Sequence, residues 1–154
     1  MSHSHGLIIG KFYPPHAGHH LLIRAAADNC ERVTVIAMAA SHETLPLAAR
    51  VAWLRATHAD TPNVVVTGCI DDVRIDHDDP AIWEQHVALM RTALDDIHAP
   101  PVTAVFTSEP YGAELARRFD AQAVILDVDR ELANISATEL RANPVGHWLS
   151  LIHI

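Results

Sequence analysis

The sequence predicts one α/β domain built around a parallel sheet. Five short apolar segments rich in β-branched residues alternate with longer segments of helical period, the pattern that calls for crossover connections between parallel strands. The strands are almost continuously apolar, as befits a sheet covered on both faces. The 154 residues, 49% apolar and 19% charged, supply one domain of ordinary size with a real core.

Gly6–Gly10 is a short buried strand closed by glycine. After Tyr13-Pro14-Pro15, the stretch Gly18–Asp28 carries Leu21, Leu22, Ile23 and Ala25 to Ala27 at helical density. Arg32–Met38 is a second strand and Ser41–Leu45 a polar loop. Pro46 stands where a helix begins, with Leu47, Val51, Trp53, Leu54 and His58 behind it at helical spacing. Asn63–Thr67 is the third strand, and Asp71–Pro80 an acidic loop. Ile82, Trp83, Val87, Met90, Leu94 and Ile97 mark an amphipathic helix. Pro100-Pro101 separates the halves; Val102–Phe106 is a strand, Tyr111–Phe119 a helix, Ala123–Leu126 the fifth strand, and a helical tail comes after Ser136. The result is a doubly wound, Rossmann-like sheet in a single domain.

Composition excludes several classes of function. No apolar run approaches the ~18–20 residues of a membrane span, and Leu7–Ile9 is too short for a secretory signal. Cys30 and Cys69 form no CxxC pair, which fits a reducing, cytoplasmic setting. With 11 Lys and Arg against 19 Asp and Glu, the net charge of −8 argues against nucleic acid as a partner. It leaves room for a small phosphate ligand, which needs only a few local donors. The unusual count is 12 histidines, a residue that titrates near neutrality and binds metals and phosphates.

Two segments concentrate the chemistry. The first strand runs directly into Gly10-Lys11-Phe12-Tyr13-Pro14-Pro15-His16-Ala17-Gly18-His19. Ligands of such sheets bind beyond the carboxyl ends of the strands, at helix N-termini. His16 and His19 lie one turn apart near the positive end of the helix dipole. Gly18 allows a close approach to the backbone, and Lys11 adds a positive charge, so this turn suits a phosphate chain. A P-loop is the wrong reading, because the glycine spacing is one residue short and Phe12 stands where Ser or Thr would hold magnesium. A metal on His16, His19 and His20 lacks an accompanying HExxH. Histidines that merely cap the helix are the plain alternative. The second segment is Ile135-Ser136-Ala137-Thr138-Glu139-Leu140-Arg141. Ser136 and Glu139 make a capping box, and Thr138 and Arg141 would bring a hydroxyl and a guanidinium to the same phosphates.

Gly10–His19 resembles the GxFxPxHxGH signature of the nucleotidylyltransferase superfamily, and Ile135–Arg141 resembles its ISxTxxR signature. Within it the chain is most similar to the nicotinamide-mononucleotide (NMN) adenylyltransferase domain of bifunctional NAD-salvage proteins, through Phe106–Tyr111, Asn143-Pro144 to Trp148, Ser41 to Leu54, and Trp83. The family-like core is about residues 6–148. The resemblance implies transfer of AMP from ATP to NMN, with Mg²⁺ carried by ATP and no protein metal site. His16, His19, Lys11 and Arg141 are then the catalytic set; Gly10, Phe12, Gly18, Ser108, Glu109, Ser136 and Thr138 bind ATP; Trp53 and Trp83 are candidates to stack on the nicotinamide, although core packing explains them equally. Nicotinate mononucleotide or phosphopantetheine as acceptor, cytidylyl transfer, and a non-catalytic nucleotide sensor remain open. A homo-oligomer is compatible with the sequence. Relatives continue into a kinase domain, and the apolar ending Leu149–Ile154 is expected to be a truncated or artefactual tail of a longer protein. Asp76, His77, Asp78 and Asp79 are expected to form a solvated loop and helix cap, and His3 and His5 a disordered, inert stretch. His20 carries no assignment, and most of the other nine histidines are expected at the surface, in loops or in the tail.

Overall fold

A computed structural model describes residues 2–133. The elements are β1 (His3–Gly10), α1 (Ala17–Asn29), β2 (Cys30–Ala39), α2 (Leu47–Thr57), β3 (Val64–Ile70), α3 (Pro80–Asp96), β4 (Ala104–Thr107), α4 (Gly112–Arg118) and β5 (Gln122–Ile125). The strands form one sheet in the order β3-β2-β1-β4-β5, and every neighbouring pair is parallel. This is the doubly wound, Rossmann-like arrangement, with its order reversing between β1 and β4. Residues 128–133 are helical, whereas the tail expected after Ser136 lies outside the described residues.

Side chains alternate strictly across the sheet, and this sorts the core into two layers. Ile8, Val33, Val35, Ala37, Ala104 and Phe106 face α1 and α2, meeting Leu22, Ile23, Ala26, Val51 and Leu54. Leu7, Ile36, Met38 and Val105 face α3 and α4, meeting Trp83, Val87, Met90, Leu94, Leu115 and Phe119. Asp79 caps α3 by accepting a hydrogen bond from the Ala81 amide at 2.9 Å, with Pro80 at the first helical position, as the acidic-loop reading anticipated.

The N-terminal stretch corrects one expectation. β1 begins at His3 rather than Gly6, and His5 is fully buried rather than disordered. Its ring satisfies both nitrogens, Nδ1 with the Pro100 carbonyl and Nε2 with the Thr34 hydroxyl, each at 2.8 Å. A buried imidazole with two partners carries no unmet polar group. His20, which the sequence left without an assignment, and His58, at the end of the helical spacing behind Pro46, are likewise buried.

Candidate active site

The reversal of strand order places the ends of β1 and β4, Gly10 and Thr107, at the crevice where sheets of this topology take ligands. Beyond Gly10 the chain makes a turn built around Phe12. The Phe12 backbone adopts a left-handed φ of 49°, which costs a non-glycine residue on the order of 1 kcal/mol. That conformation tucks the ring into the core at 2% exposure. There it lies against Gly10, where a Cβ would stand 3.2 Å from the ring, and meets the His19 ring edge-on with centroids 4.7 Å apart. Phe12 thus supports His19 with its ring and leaves only its backbone to face a ligand.

His16 and His19 cap α1 reciprocally. The Gly18 amide donates to His16 Nδ1, and the His16 amide donates to His19 Nδ1, both at 3.1 Å. The two rings stack, with centroids 3.6 Å apart and planes 21° from parallel. The capping reading is therefore realised in full. A ring nitrogen that accepts an amide proton is unprotonated, so the ring's proton sits on Nε2. Burial, with the neighbouring His16 and His20 contributing, holds the His19 pKa down at about 4. At neutral pH His19 is an uncharged imidazole with a free Nε2–H donor.

Lys11 is held by an ion pair to Glu43 at 2.8 Å. Glu43 also accepts from the Ala40 amide and from Arg50, and these donors, Lys11 foremost, keep its carboxyl at about 2. Arg50 has no exposed surface. Its guanidinium is spent on the Leu45 and Lys11 carbonyls and Glu43 and lies 4.4 Å from the Tyr13 ring centroid. Nothing in the helical spacing around Leu47 announces a buried arginine; its partners are loop carbonyls that only the fold assembles.

A cavity of about 440 Å³ opens from Gly10 and Lys11 toward α3. One wall is aromatic: His77, Trp83 and Tyr111 gather with centroids 5.5 to 6.4 Å apart. The rim is charged, carrying Asp71, Asp72 and Asp76 together with Arg74, which pairs with Asp76 at 3.0 Å. The predicted residues divide accordingly. Gly10, Lys11 and Trp83 line the cavity. Trp83 is also 93% removed from solvent in the α3 layer, so packing and site placement coincide. His16 and His19 do not line the cavity; they follow Gly10 and Lys11, which do, along the same turn. Trp53 lies 39% exposed on α2 and outside the cavity. Ser108 and Glu109 are exposed just beyond β4, beside β1 in the sheet. Ser136, Thr138 and Arg141 lie outside the described residues; the chain leading toward them passes α1, since a Cβ at Gly18 would stand 3.7 Å from Val128. His86 and Asp71 drew no site role in the sequence, His77 was expected only in a solvated loop, and Tyr111 entered only through the resemblance of Phe106–Tyr111. Among the described residues, no three metal-ligating side chains gather into a cluster, and no helix is long and apolar enough to cross a membrane.

A Rossmann-like sheet with an imidazole turn at its reversal point defines a nucleotidyltransferase domain. The chain belongs to the cytidylyltransferase-like family, whose model matches residues 7–143. It is 23% identical to the trifunctional NAD biosynthesis/regulator protein NadR of Salmonella typhimurium over 93% of this chain and 37% of that protein. The same protein of Escherichia coli shows the same identity and coverage. The chain therefore spans about 37% of the length of the curated relatives it matches. A crystal structure of NadR with NAD and AMP-PNP superposes with a TM-score of 0.64 at 25% identity, covering 95% of this chain and 44% of that one. A bifunctional NMN adenylyltransferase/ADP ribose pyrophosphatase from Francisella tularensis, complexed with AMP and a manganese ion, shares the fold with a TM-score of 0.63 at 16% identity, covering 80% of this chain and 37% of that one.

Proposed function

We propose that this domain transfers the adenylyl group of ATP to NMN, forming NAD and releasing pyrophosphate. The observation that carries the reading is the reciprocal cap of α1, which fixes both histidine tautomers and leaves two Nε2–H donors beside the crevice. An oxygen of the NMN phosphate attacks the α-phosphorus while the bond to the bridging oxygen breaks and pyrophosphate leaves. The attacking monoester, with a second pKa near ~6, is already largely dianionic at neutral pH, so no general base is required. The chain has to align two polyanions and stabilise charge on the transferring and bridging oxygens. His16 and His19 serve those oxygens through Nε2–H, as donors fixed before the reaction begins. Lys11 exchanges Glu43 for a phosphate. Ser136, Thr138 and Arg141 take the distal phosphates, and the backbone at Ser108 and Glu109 the adenine edge. The donors at the turn are imidazoles and an ammonium rather than carboxylates, so Mg²⁺ enters on the oxygens of ATP, where it neutralises phosphate charge.

The cavity supports nicotinamide as the acceptor's base. An aromatic wall offers a stacking face, and the rim carboxylates of Asp71, Asp72 and Asp76 suit a cationic pyridinium while repelling the extra carboxylate of nicotinate. The test is pyrophosphate release from ATP and Mg²⁺ with NMN, nicotinate mononucleotide or phosphopantetheine supplied in turn. NMN should give the highest kcat/KM. Turnover with another acceptor and none with NMN overturns the substrate assignment, and no turnover with any acceptor overturns the enzymatic reading.

A further inference from the structure

The loop between β3 and α3 forms the rim of the cavity, and one side chain of α3 holds it at two points. His86 Nδ1 meets Asp71 Oδ2 in a short hydrogen bond, and His86 Nε2 donates to the Arg74 carbonyl at 2.9 Å. Asp71 is the first residue after β3, and its other carboxylate oxygen accepts the Val73 amide at 2.9 Å. The imidazole therefore grips the start of the loop and its first turn together. Farther along, Trp83 Nε1 donates to the His77 carbonyl at 3.0 Å, which ties the far end of the loop to the same helix. His86 and Trp83 stand three residues apart, so they share a face of α3. Asp71, Arg74, His86 and Trp83 all line the cavity.

We propose that His86 is a positioning residue for the acceptor site: by clasping Asp71 and the Arg74 carbonyl it fixes the loop that shapes the pocket for the acceptor's base. The assignment of that pocket rests on the adenylyltransferase reading, while the clasp itself does not. The carboxylate of Asp71 serves the clasp through hydrogen bonding. An amide in its place can donate to a singly protonated His86 ring, which still donates from Nε2 to Arg74. Asp71→Asn should therefore preserve the clasp, whereas His86→Ala should release it.

Two measurements on the full chain decide the matter. Amide hydrogen exchange reads the clasp without any substrate: His86→Ala should accelerate exchange at Val73 and its loop neighbours, Asp71→Asn should not, and unchanged exchange in His86→Ala overturns the clasp. Steady-state kinetics reads the role: His86→Ala should raise the KM for NMN by about tenfold to a hundredfold, as expected when a binding element is misplaced by an ångström or so, with the KM for ATP unchanged within about twofold. His86→Gln, which retains one donor, should recover part of the loss. Faster exchange with an unchanged NMN KM overturns the positioning role, and equal loss toward ATP and NMN does the same. A parent protein without turnover overturns the adenylyltransferase reading instead, and the exchange measurement still decides the clasp.

Discussion

Two pairs of histidines meet at α1, one residue apart in sequence, and they could hardly differ more. His16 and His19 stand at the helix start, stacked and tied to backbone amides through Nδ1. Their Nε2–H groups are the donors that the proposed transfer uses. His20 and His58 are each 4% exposed and hydrogen-bond to one another at 3.0 Å, which leaves His20 Nε2 and His58 Nδ1 buried without a partner among the described residues. The same imidazole is a preorganised donor in one pair and an internal bolt between α1 and α2 in the other. What separates them is the partner: backbone amides at the start of α1 for His16 and His19, and the residue after α2 for His20.

The sharpest way to break this contrast is His19→Ala. Loss of one preorganised donor should lower kcat by about 10²–10³-fold, with stability lowered only by the loss of its half of the cap, about 1 kcal/mol, measured by pyrophosphate release and by melting. A full rate in that variant would erase the functional half of the comparison. The second test lies in acid. Burial lowers His20 and His58 to about 4 from the usual 6.5, so between those values the unfolded chain binds protons that the folded chain refuses. Stability should be complete above about pH 6.5 and fall as the pH drops toward 4. Melting curves across that interval should show the fall, and the paired substitution His20→Leu with His58→Leu should flatten it, leaving the shallower share due to His19 and the buried His5. The mildest test is Gly18→Ala. A Cβ there would stand 3.1 Å from His16 Cε1 and 3.3 Å from Nδ1, so the His16 ring must shift by a few tenths of an ångström. We expect kcat to drop by only about threefold to tenfold, with the Ala amide still donating to the cap.

The sequence revealed the sheet, because periodicity is a local property that survives without tertiary information. Strand and helix centres fall where alternation and helical spacing put them, and even Asp79 is legible as a cap. The imidazole turn was legible too, since His16, Gly18 and His19 are neighbours in the chain. What escaped was every polar group whose partner is remote. His5 reads as tail because Pro100 and Thr34 are invisible from its own segment. Arg50 drew no reading, because its acceptors sit on two loops. His86 and Asp71 are fifteen positions apart, beyond any spacing rule. Trp53 and Trp83 looked alike in sequence, each on an apolar helical stripe; only packing put one on the cavity wall and the other at the surface.

The position of β1 bears on the order in which the chain acquires its shape. Of the five strands of this sheet it is synthesised first, yet it lies at the middle, between β2 and β4. Its pairing with β2 closes one side early, but Gly6 and Leu7 meet Ala104 and Val105 on the other, and His5 needs the Pro100 carbonyl to satisfy its ring. Until residues beyond 100 have left the ribosome, the nascent domain carries an apolar strand with an open edge, the feature most prone to pair with another chain. A fragment ending before β4 would keep that edge permanently, so the shortest piece able to close the sheet around β1 must reach at least Thr107.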